Sequence, residues 1–171
     1  MSKHCFNLIE DKRILFAYTS PINSPYTKSR DMNILEKLET KDSCCLNTLV
    51  MGDLNGRTKT GEDFVRDQIH KHCPVDTPIY TRDEVLSRRN LDINCIDQQG
   101  KLILSLCKAT GLRVLNGRTY GDREGHFTRY PIHKPTEKPS TIDYALCGQS
   151  FLKNIFSFSV LPYIDLSDYC C

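Results

Sequence analysis

Apolar residues along the chain fall into short runs separated by polar, turn-rich stretches. Ile14, Leu15, Phe16 and Ala17 form a run that Pro21 closes, so Arg13–Pro21 reads as a strand. Met32, Leu35 and Leu38 recur at helical spacing, which predicts a helix over residues 29–41 with Ser29 or Asp31 as its cap. "NTLVMG" is a second strand, ending in an acid-containing turn. Residues 56–97 are polar and irregular, long for a connection inside a compact domain. From Asp97 to Gly111 the pattern is helical again: Leu102, Ile103, Leu106 and Cys107 share a face, Asp97 caps the start and Gly111 ends it. Leu112–Asn116, "GHFTRY", "STIDYALC" and "NIFSFSVLP" follow as strand-like segments. The order β-α-β-loop-α-β-β-β-β predicts an α+β domain, an α/β sandwich with a mixed or largely antiparallel sheet.

Composition narrows the class only a little. The chain has 171 residues, enough for one domain over 1–171, and its 39% hydrophobic content suffices for a core. A net charge of +2 neither announces a nucleic-acid binder nor excludes one, because phosphate binding depends on a local patch. No run of signal-peptide type opens the sequence, and none approaches the ~20 apolar residues of a membrane span. The reading is therefore a soluble intracellular protein without a membrane partner, whose nine cysteines are reduced. None of them shows the CxxC spacing of a zinc site. "HKHC" (His70, His72, Cys73) is the single cluster resembling a metal nest and lacks a second ligand pair; Cys107 and Cys147 read as buried, inert thiols.

Candidate chemistry sits at strand ends. In "NTLVMGDLNGRTKTG" an aspartate and an asparagine stand one residue apart where an apolar run stops. Asp, Asn and Gly are ordinary turn formers, so Asp53 and Asn55 read first as a turn. Asp143 lies within a half-buried run, where a carboxylate is costly unless it is paired or binds a metal, and Ser or Thr hydroxyls are its simplest partners. Asp168, in "LSDY", reads as a cap on a terminal turn.

Taken in order, these segments resemble the endonuclease/exonuclease/phosphatase superfamily, and within it the nuclease domains of non-LTR retrotransposons and craniofacial-development-like proteins. The likeness is carried by "AYTSPINSPY", "VMGDLNGRT", "GLRVLNGRTYGDREGHFTRY", "STIDYAL" and "LSDY", and spans Ile14 to Tyr169. It implies Mg²⁺- or Mn²⁺-dependent phosphodiester hydrolysis of the DNA endonuclease type. Asp53 would orient or deprotonate the attacking water, and Asn55 would hold the phosphate. Asp168 would lie on the metal side. Tyr18, Asn116 and Thr128 would line the phosphate site as neutral donors. Asp143 would support a final histidine contacting the scissile phosphate.

Two departures bear on that expectation. Tyrosine stands at position 169 where the family places histidine. A phenol cannot carry positive charge near neutral pH, and losing a charge-assisted contact to the transition state costs ~3 kcal/mol, on the order of a hundredfold in rate. In addition, no Gln-Glu-Thr-like strand precedes Tyr18, and Glu10 in "NLIEDKR" matches it poorly. The resemblance thus implies the C-terminal part of a four-layer α-β-β-α fold with its N-terminal strands missing. An inner face containing Val50, Val114 and Ile142 would then lack part of its cover, which predicts a homodimer or a complementing fragment. Two functions stay open: a DNA endonuclease with weak or lost activity, and a non-catalytic retroelement remnant that binds nucleic acid through Arg57, Lys59, Arg88, Arg89, Arg118 and Arg129. A nuclear address follows from the family likeness alone.

Overall fold

The computed structural model describes residues 6–9, 12–22, 24, 47–65, 87–132, 134, 136–164 and 167–169. The helix expected over 29–41, Glu10 and the "HKHC" cluster lie outside them. Five strands form one mixed sheet: β1 (Phe6–Ile9), β2 (Lys12–Phe16), β3 (Thr48–Asp53), β4 (Leu112–Val114) and β5 (Asp143–Gly148), in the spatial order β1-β2-β3-β5-β4. Only the β2–β3 pair is parallel; β1–β2, β3–β5 and β4–β5 are antiparallel. The α+β class expected from the sequence holds.

Helix α1 (Gln98–Thr110) forms for the reasons its sequence declares. The Asp97 carboxylate accepts from Gly100 N at 2.6 Å, satisfying one of the free donors of the first turn. Gly111 closes the helix in the left-handed region (φ 74) and donates to Cys107 O, which a side chain at that position would oppose. Ile103, Leu106 and Cys107 pack from α1 against Leu15, Val50, Leu112, Val114, Tyr144 and Leu146 of the sheet. The opposite face carries Ala145 and Cys147, and Leu115, the short helix α2 (Gln149–Leu152), Ile155 and Phe158 pack there.

Cover on both faces explains why five of the six β5 residues are buried. It also corrects one expectation. Val50, Val114 and Ile142 are 1%, 0% and 8% exposed, and α1 covers Val50 and Val114 on the face that was expected to lie open. Cys107 and Cys147 are buried free thiols, and burial pushes both up to about 12.

Two predicted strands do not form. "GHFTRY" makes single bridges from Arg129 to Ser140 and to Tyr169. "NIFSFSVLP" runs as coil, with Phe158 N bonded to Tyr120 O at 2.9 Å and Phe156 89% exposed. Conversely, β1 forms where no strand was expected.

Candidate active site

Strand β3 delivers Asp53 to the edge of a turn tied back to β2. Gly52 has φ 144, and a Cβ there would sit 1.9 Å from the Ala17 carbonyl oxygen, so only glycine allows the two strands this approach. Beyond it, Asn55 takes a left-handed conformation (φ 48), one that asparagine tolerates. Its backbone N donates to Asp53 Oδ1 at 3.0 Å, and its Nδ2 donates to Thr19 O at 2.8 Å. Thr19 answers with N to Asp53 O at 2.9 Å and Oγ1 to Leu54 O at 2.5 Å. The one-residue spacing of Asp53 and Asn55 therefore builds a tight turn and, by the same bonds, fixes the carboxylate in place.

Asp143 opens β5 directly opposite Asp53 in the antiparallel register. Burial, and then the negative charge of Asp143, raise Asp53 from 3.8 to about 6, against the opposing bonds from Asn55 and the Arg129 charge. Asp143 is itself held above its usual value by burial, with the Thr128 hydroxyl opposing. Its Oδ2 is buried and has no hydrogen-bond partner. Thr128 Oγ1 accepts from both Ile142 N and Asp143 N at 3.1 Å. Asn116, 1% exposed, donates from Nδ2 to Asp143 O at 3.2 Å and accepts at Oδ1 from Ala145 N at 3.1 Å. Thr128 and Asn116 thus both brace the start of β5.

Tyr169 reaches this centre through the Arg129 bridge. Burial, followed by the Asp53 charge, pushes its phenol above the ordinary value, while Arg129 pulls the other way; Asp143 and Tyr18 act on it as well. Tyr18 is largely exposed, just past β2. Asp168 is fixed by Tyr130 N to its backbone oxygen at 2.6 Å and by Ile132 N to its Oδ1 at 3.1 Å.

Asp53, Asn55, Asp143, Thr128 and Tyr169 are accordingly brought to one end of the β3–β5 ladder. Sequence reasoning treated Arg129 only as one of several scattered cations, although it directly follows Thr128 in "FTRY". It missed Thr19, which no local signal marks.

A divalent cation needs hard oxygen donors, usually one or two carboxylates completed by water and substrate oxygens. Asp143 offers a buried carboxylate oxygen with no partner, beside the Asp53 carboxyl. One such carboxylate, completed by water and substrate oxygens, is the minimal donor set for Mg²⁺ or Mn²⁺. Among the described residues no group of three His, Cys, Asp or Glu side chains gathers at one point, so Asp168 does not complete a three-acid cluster with them.

No protein-family model and no curated protein matches the chain. Among solved structures it is similar to the endonuclease domain of TRAS1, a telomere-specific non-LTR retrotransposon, with a TM-score of 0.57 and 14% sequence identity. The match covers 99% of this chain and 60% of that one, so the chain spans about 60% of the neighbour's length. The fold is endonuclease-like. Within it, an aspartyl group whose value lies near 6 stands where it can exchange a proton close to neutral pH.

Proposed function

We propose that this chain hydrolyses DNA phosphodiester bonds slowly, by a divalent-metal-dependent mechanism of the retrotransposon-endonuclease type. The observation that carries the reading is Asp53: a fixed, half-buried carboxylate raised to about 6, at the end of the β3–β5 ladder. A base poised near the working pH combines a useful deprotonated fraction with enough basicity to take a proton from water. The turn bonds from Asn55 and Thr19 hold it at one position, which removes the need to organise it during reaction.

Asp143, through its unpartnered Oδ2, would hold the cation with water and phosphate oxygens completing its shell, leaving Asp53 free to act as base. When bound, that cation would neutralise phosphate charge and acidify water. Arg129 adds a positive charge that acts on both Asp53 and Tyr169, on the side where phosphate charge must be met. Tyr169 can donate one neutral hydrogen bond to a phosphate oxygen, where the family's histidine would bring a charged one. That difference of ~3 kcal/mol makes the reaction slow, by about a hundredfold.

A second reading, a scaffold that binds nucleic acid without cleaving it, is favoured by the same unpartnered Asp143 Oδ2, since tyrosine stands at position 169 where the resemblance would place a histidine for Asp143 to support. Supercoiled plasmid incubated with Mg²⁺ separates the two. Nicking that disappears on chelation and in Asp53→Ala supports hydrolysis. Binding without nicking supports the scaffold, and nicking that persists in Asp53→Ala overturns the assignment of the base.

A further inference from the structure

The basic side chains are distributed unevenly between satisfied and unsatisfied environments. Arg57 Nη1 engages both oxygens of Asp92, at 3.0 and 2.9 Å, and Arg129 pairs with Glu137 at 3.0 Å. Three other arginines, Arg88, Arg89 and Arg118, converge with Arg123 around a pocket of about 530 Å³ that Gly117 and Glu124 also line.

Arg88 is the unusual member. It is 8% exposed, yet no carboxylate forms an ion pair with it among the described residues. Its Nη2 donates to Thr58 Oγ1 at 3.0 Å, Thr58 O at 3.3 Å and Gly61 O at 3.2 Å. Its Nε and Nη1 are buried and have no partner. The carboxylate that acts on it, Asp63, has both oxygens taken by Arg118 at 2.8 and 2.9 Å. Glu124 is likewise engaged, by Arg89 Nη1 at 2.7 and 2.9 Å. Arg123 lies over the Tyr120 ring at 5.7 Å. Among the described residues the lining holds four guanidinium groups and one carboxylate, Glu124; Arg89 is paired with Glu124, Arg118 is paired with Asp63 beside the pocket, and Arg88 is desolvated with two donors unused.

We propose that this pocket is a phosphate-binding site, in which the exposed Arg89 and Arg123 meet the phosphate group and the buried Arg88 guanidinium supplies uncompensated positive charge behind them. A planar guanidinium group matches phosphate oxygens side by side, and the unpaired charge of Arg88 adds to the field at the pocket. A buried charge left unpaired is costly, so an anion is the partner that relieves it. The volume exceeds that of phosphate alone and admits a phosphate ester, whether a small molecule or a stretch of nucleic-acid backbone. Arg88 is bonded to Thr58 and Gly61, in the segment that follows Asp53, so occupancy steadies the chain leading out of the candidate active site. Phosphate capture here does not depend on hydrolysis at Asp53.

The test titrates the full chain with inorganic phosphate at constant ionic strength and follows Tm. Phosphate raises Tm where chloride does not, and Arg88→Met abolishes the rise. Because Arg88→Met removes a buried side chain, the exposed pair Arg89→Ala/Arg123→Ala provides an independent check: it leaves the unliganded Tm unchanged and weakens phosphate binding about tenfold. Competition with a short single-stranded oligonucleotide identifies the source. Displacement of the oligonucleotide by phosphate, with a salt slope flattened in the double variant, assigns the pocket to nucleic-acid backbone. Phosphate binding without such competition assigns it to small phosphate esters. No rise beyond the chloride control, or a rise that survives in both variants, overturns the proposal.

Discussion

Asp53 and Asp143 face each other as directly opposed residues of the β3–β5 ladder, so two carboxyl groups share one half-buried end of the sheet. Among the described residues no basic side chain forms an ion pair with either, and burial together with Asp143 raises Asp53 from 3.8 to about 6 against the Asn55 bonds and the Arg129 charge. A carboxyl held above its unfolded value binds its proton more tightly in the fold. Its stabilising contribution is complete below pH 3.8 and disappears as the pH rises through about 6. Asp53→Asn removes that dependence. The Tm of the variant therefore gains on that of the parent across this window and stays ahead above it. Parallel Tm curves for the two proteins would show that Asp53 is not perturbed.

Thr128 braces the same end of the sheet by accepting from Ile142 N and Asp143 N. Replacing it with valine keeps the shape and strips both donors of their acceptor, at a cost of about 1–3 kcal/mol. Thr128→Ser retains the hydroxyl and loses under half as much. Urea denaturation of the three proteins checks the ranking.

The Tyr144 hydroxyl is a buried junction. It accepts from Thr58 N and Thr58 Oγ1 at 3.2 Å, and lies 2.8 Å from Gly56 O and 2.7 Å from Thr141 O, to one of which it donates. Burial pushes this phenol up to about 12, so it stays neutral across the working pH range. Tyr144→Phe leaves several buried groups unpaired and destabilises by about 1–3 kcal/mol, read from the shift in the urea midpoint at unchanged m-value.

Helix α1 shows what was legible in the sequence and why. Its cap, apolar face and terminating glycine are local features, and each is found where the sequence put it. Asp97→Ala should cost about 1 kcal/mol in the same denaturation experiment. Strands β2 and β3 were legible as apolar runs, and β4 and β5 as alternating polar and apolar residues. The failures are non-local. Ile155, Phe156, Phe158 and Val160 alternate like a strand, but among the described residues no strand pairs with them: Phe158 N makes a single bond to Tyr120 O, and Ile155 and Phe158 pack against the second sheet face. Phe6–Ile9 becomes a strand because β2 offers an edge, which "FNLI" alone does not reveal.

At the site, the acids were visible as acids at strand ends. That Asp53 stands opposite Asp143 follows from a register between segments far apart in sequence, and no pattern within either segment specifies it. The arginine pocket was hidden for the same reason: Arg88, Arg89, Arg118 and Arg123 look scattered until the chain folds.

The central claim is that a working aspartate is throttled by the tyrosine at position 169. Plasmid nicking with Mg²⁺ by the parent, Tyr169→His and Tyr169→His/Asp53→Ala tests it most directly. The account predicts that Tyr169→His nicks about a hundredfold faster than the parent and that the second substitution removes the gain. A Tyr169→His protein that folds, binds DNA and nicks no faster than the parent would contradict it.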